Sequence, residues 1–94
     1  MPTSEARVAM ATPARYMTQL CKHFEHRRPV TYDATTGHIP FDAGTCDLLV
    51  DADALVMRCE AADADGLAQV QDVVARHLLR FAFRDPPEIV WQAE

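Results

Sequence analysis

Apolar and polar residues alternate from Glu5 to Ala11, with Ala6, Val8 and Met10 on one side and Arg7, Ala9 and Ala11 on the other. That period of two predicts a first, half-buried strand. Thr12-Pro13 follows, an N-cap residue with a proline suited to the first helical turn. Met17, Leu20, Cys21 and Phe24 then recur at helical spacing, which predicts a helix to about residue 27, with Pro29 as its stop. Val30 to Asp33 and His38 to Asp42 read as short strands around a turn at Ala34-Thr35-Thr36-Gly37. Thr45 to Asp51 and Ala54 to Ala61 both alternate, and a loop at Ala52-Asp53 would set Val50 against Leu55, Leu48 against Met57 and Cys46 against Cys59. All six side chains then share one face, so the register agrees with the burial pattern.

Asp63 is placed to cap a second, longer helix with Asp65 in its first turn and Arg76, His77, Arg80 and Arg84 toward its end. Leu67, Val70, Val74, Leu78 and Phe81 form its apolar stripe. Pro86-Pro87 breaks the chain, and Glu88 to Gln92 predicts a closing strand that carries Ile89 and Trp91. A faint echo links the halves: Lys22-His23-Phe24 with Pro29-Val30-Thr31-Tyr32, and Arg76-His77-Leu78 with Pro87 through Trp91. Each half reads strand, helix, proline, strand. The expected fold is α+β: a two-layer sandwich, an antiparallel sheet with two helices on one face, as a ferredoxin-like split βαβ with an added hairpin.

Composition narrows the class. Residues 1–94 carry no low-complexity stretch or linker and read as a single domain. A net charge of −5 repels phosphate backbones, so nucleic acid is not an expected partner. The apolar runs are only a few residues long, which excludes a transmembrane helix. Met1-Pro2-Thr3-Ser4-Glu5 has neither the basic nor the apolar region of a secretory signal, so the cytoplasm is the expected location, with Cys21, Cys46 and Cys59 reduced.

Several side chains bear on chemistry. Cys21, His23 and His26 lie close in sequence, but at about 100° per residue Cys21 points away from both histidines, so an intact helix cannot gather them on one ion. The plain reading of Lys22, His23, His26, Arg27 and Arg28 is that a helix C-terminus favours cations. Cys21, Cys46 and Cys59 face one core, with His77 at the edge of the second helix's stripe, and offer a soft metal site, a redox-switchable disulfide or a thiol pair beside His77. Their spacing matches no zinc motif, and Asp47 and Glu60 flank the strand cysteines where an activated thiolate would want cations. Buried free cysteine is also an ordinary small hydrophobe. Asp33, Asp42, Asp47, Asp51 and Asp53 fall at strand ends and turns, where Asp serves the backbone. No nucleophilic triad, phosphate-binding glycine loop or dinucleotide fingerprint occurs. Leu79 and Phe83 project off the second helix's stripe. Either they form an exposed patch suited to a homodimer, or the chain turns first and buries Phe83.

Ala14 to Phe24, Ile39 to Cys46 and Val70 to Leu78, in that order, resemble an uncharacterised bacterial family, domain-of-unknown-function family 2218. The resemblance covers nearly the whole chain. It implies a setting in iron acquisition, because some members lie beside or fused to siderophore-interacting flavoproteins, but it assigns no cofactor and no catalytic residue. The expectation is a small module, more a binding protein than an enzyme. It would take an anionic iron chelate, or dock on such a flavoprotein, through Arg15, Tyr16, Lys22, His23 and Arg27. A thiol-based redox or metal-binding protein is the alternative, and a structural or dimerisation domain the third.

Overall fold

The computed structural model describes residues 2–93. The elements run β1 (Thr3–Ala9), α1 (Pro13–Glu25), β2 (Thr31–Tyr32), β3 (Thr36–Pro40), β4 (Gly44–Asp51), β5 (Ala54–Ala61), α2 (Ala64–Phe81) and β6 (Gln92–Ala93). The strands form one open sheet in the order β2-β3-β4-β5-β1-β6, antiparallel at every step. This is an α+β fold. Among the described residues, no helix is long and apolar enough to cross a membrane.

The register follows from the alternation. Cys46 lies opposite Cys59, Leu48 opposite Met57 and Val50 opposite Leu55, the pairing expected from the sequence. In β1, Ala6 and Val8 pair with Met57 and Leu55 and extend the same buried face. Met17, Leu20, Cys21 and Phe24 from α1 and Val70, Val74 and Leu78 from α2 close over that face. Arg7, His38, Asp47, Leu49 and Arg58 remain on the solvent side. Strand parity therefore decides which layer each residue enters.

Five sequence expectations are corrected at element ends. β1 spans Thr3–Ala9 rather than residues 5–11, because its partner β5 begins opposite Ala9 at Ala54, and at the other end Ser4 takes a buried place by accepting a hydrogen bond from Gln71 of α2. Thr12 does not cap α1: it sits at φ 56°, ψ 53°, with no side-chain bond to the helix, and forgoes the stabilisation of about 1 kcal/mol that a cap supplies. α1 ends at Glu25, and residues 26–28 form a turn in which Phe24 O accepts from the amides of Arg27 and Arg28. The turn before β3 is tighter than expected, since the Asp33 carboxylate accepts from the Thr35 and Thr36 amides at 2.9 and 2.8 Å. β6 holds only Gln92–Ala93. It pairs with Glu5 and Ser4 of β1, while Ile89 and Trp91 before it pack by their side chains against the core.

Asp63 does cap α2 as expected, accepting from the Gly66 amide at 2.7 Å. Neither expectation for Phe83 holds entire: α2 ends at Phe81, before it, yet Phe83 is 69% exposed. Arg84 likewise lies beyond the helix. At the start of β4, a Cβ on Gly44 would collide with the carbonyl of Glu60 on β5, so this close strand approach requires glycine.

Candidate functional site

Charge is unevenly placed. Residues 13–28 and 64–84, the two helices with the turns after them, hold seven of the nine Lys and Arg and three of the fourteen Asp and Glu. They carry a formal +4 (seven cations less three anions) on a chain of net −5, leaving −9 for the remainder. α1 and α2 run antiparallel against the sheet, and Arg15, Arg27, Arg28, Arg80 and Arg84 lie along the seam between them.

Two open depressions follow that seam, and a third lies beside it, between α2 and residues 41–43. His23, Phe24, His26, Arg27, Arg28 and His77 line the central one, about 450 Å³, which contains no carboxylate. Arg15, Tyr16, Gln19, Phe81, Phe83 and Arg84 line the second, at the α1 N-terminal end. The third adjoins Arg28, where Phe41 and Arg76 meet Asp42 and Asp72. From Tyr16 to His23 the helical rise alone spans ~10 Å.

Ring packing fixes the centre. The His23 and His77 ring centroids lie 4.8 Å apart, His77 stands 4.9 Å from Phe24, and His23 stands 5.7 Å from Phe81. His77 Nδ1 donates to the Val73 carbonyl at 2.6 Å, which orients the ring and leaves Nε2 free of that bond. His23 is held below the ordinary imidazole range, first by partial burial, then by His77, Arg80, His26 and Arg27. Arg28 lies over the Phe41 ring at 5.0 Å and contacts exposed Asp42 at 3.5 Å. Among the described residues, Arg15, Lys22, Arg27, Arg80 and Arg84 form no ion pair. The seam is a cationic surface with aromatic walls and little internal neutralisation.

The sequence-selected residues divide between the depressions. Arg15 and Tyr16 enter the N-terminal one, while His23 and Arg27 enter the central one. Lys22 is exposed and lines neither. Arg28, Arg80, Arg84, Phe24 and Phe81 join them only in the folded chain. The i, i+4 spacing of Arg76, Arg80 and Arg84 was the available signal, but it also suits a helix dipole.

The cysteines meet elsewhere. Cys21, Cys46 and Cys59 are free thiols, all fully buried in the core. Burial, with Glu25 nearby, pushes the Cys21 thiol up to about 11. Cys46 is held well above the ordinary thiol range, first by its hydrogen bond with Cys59 and then by burial. His77 does not join them, being committed to Val73 and the seam. Among the described residues, no three of His, Cys, Asp and Glu are placed to hold a metal ion.

The model of domain-of-unknown-function family 2218, described as an uncharacterised protein conserved in bacteria, matches residues 5–92. The chain belongs to that family. It is also 39% identical to PA4090 from Pseudomonas aeruginosa, whose structure was solved by NMR. That likeness covers 98% of this chain and 96% of PA4090, with a TM-score of 0.83. No curated protein matches the chain.

Proposed function

We propose that this protein is a small binding module that takes an anionic ligand, or the acidic face of a protein partner, in the seam between α1 and α2. The observation that carries the reading is the central depression, with two arginines and three histidines in its lining and no carboxylate, on an acidic protein. Local charge opposite to the net charge attracts a specific counter-ion while the rest of the surface repels others. Arginine forks suit planar or branched oxyanions, and Tyr16, Phe81 and Phe83 offer aromatic contact at one end of the seam. An anionic ferric chelate with aromatic donors fits both features. A siderophore-interacting flavoprotein is the corresponding partner, in a setting of iron acquisition in the cytoplasm.

The finer topology belongs to the same reading. The order β4-β5-β1-β6, with a helix after β1 and after β5, supports a ferredoxin-like split βαβ core widened at one edge by β2 and β3.

Titration with a ferric catecholate anion tests the reading. Saturable binding should weaken at least about tenfold in Arg27→Ala/Arg28→Ala, the scale of a lost charge-assisted hydrogen bond, and should weaken with added salt. Absence of saturable binding, or an unchanged affinity in the double variant, would sink it.

A further inference from the structure

The paired imidazoles at the centre of the seam have a chemical consequence that the arginines alone lack. His77 Nδ1 is engaged with the Val73 carbonyl, so Nε2 is the ring atom left to meet a ligand. In the neutral ring that atom is an acceptor and opposes an anion's lone pairs; after protonation it is a donor. His23, 4.8 Å away between ring centroids, makes no hydrogen bond among the described residues and lies against the same depression. The charged and titratable groups around His23 come from both helices and include no carboxylate: His77 and Arg80 lie on α2, His26 and Arg27 follow α1, and Arg28 lines the same depression. The nearest α1 carboxylate, Glu25, is turned to Tyr32 instead. In the empty site these neighbours and partial burial disfavour a proton on His23, and an anion among them would offset that penalty.

We infer that the depression around His23 and His77 is an oxyanion site whose occupation is coupled to proton uptake by the imidazole pair. The inference rests on the seam being the anion-binding site, and it adds the residues that meet the oxygen atoms and the direction of pH control. The ligand class is a compact, multiply charged oxyanion, whether free or forming the charged end of a larger molecule. Binding favours the protonated pair, so affinity rises as pH falls through the imidazole range. The lowered proton affinity of His23 in the empty site has the same sign.

Sulfate is a suitable probe because it remains a dianion across the range. NMR-detected titration of the whole protein at about pH 5.5 and about pH 8 should show sulfate binding roughly tenfold tighter in acid, with the histidine ring signals of His23 moving toward the protonated form on saturation. His23→Gln and His77→Gln should each flatten the pH dependence. His38→Gln, on the opposite face of the sheet, should leave it intact, and amide spectra report whether each variant is folded. A pH-independent affinity, a dependence that survives both seam variants, or no sulfate binding at either pH overturns the inference. The binding-module reading is decided separately, by the ferric catecholate titration.

Discussion

The two groups of candidate residues, the cysteines of the core and the basic side chains of the helical seam, met opposite physical fates. Both were brought together from distant parts of the chain. Cys21, Cys46 and Cys59 converge where water is excluded, and the thiols of Cys21 and Cys46 lose acidity. The seam cations converge at the surface, where hydration keeps them charged and few carboxylates neutralise them. Burial suppresses the chemistry of one cluster, and incomplete pairing leaves the other with electrostatic work to offer a ligand. Proximity by itself does not make a site.

Substitutions can break this contrast, and the largest effects should come from the core. Met57→Ala removes a fully buried side chain beneath both helices and should cost about 3 kcal/mol in denaturant unfolding, with ligand affinity retained wherever the variant is folded. Cys59→Ser puts a hydroxyl among apolar neighbours and should cost about 1–2 kcal/mol. In the same experiment, the native thiols should react with an alkylating reagent only after unfolding, because burial blocks access and Cys21 at about 11 holds little thiolate at neutral pH. Rapid native alkylation at any cysteine would move functional weight from the seam to the core. Arg27→Ala/Arg28→Ala should change stability by less than about 1 kcal/mol while it lowers affinity, the reverse of the core pattern.

The smallest effect is the pH dependence of stability at His23. Its folded imidazole titrates below the unfolded one, so the unfolded chain binds more protons between those two values. Stability should therefore fall as pH drops from about 6.5 toward the folded value, and His23→Gln should shallow that fall. Solvent screening at this exposed ring keeps the change to a minor slope in melting temperature against pH. Saturating anion should flatten or reverse it, which couples the stability measurement to the seam.

The strands and helices were legible because strict alternation and a 3.6-residue stripe leave few alternatives. The Cys46–Cys59 register followed from a two-residue loop whose Ala52 takes φ 56°, a conformation that no residue type there advertises. Legibility failed where a tertiary contact overrode local pattern. Ser4 is buried by Gln71, sixty-seven residues away, and Thr12 adopts a left-handed turn instead of a cap. The candidate site was half legible: Arg15, Tyr16, His23 and Arg27 lie along the seam, but the neighbouring His77, Arg80, Phe81 and Arg84 belong to α2 and the turn after it, whose basic end has a sufficient local explanation in the helix dipole. The charge segregation that marks the seam emerges once the antiparallel helices are laid side by side.

The most direct measurement uses the paramagnetism of a bound ferric chelate. Amide spectra of isotopically labelled protein, recorded with substoichiometric ferric catecholate, should lose intensity around residues 16–28 and 73–84. Signals from the solvent face of β4 and β5, on the far side of the sheet, should be retained. Broadening centred on that open face, or none at concentrations that saturate binding, would contradict the account.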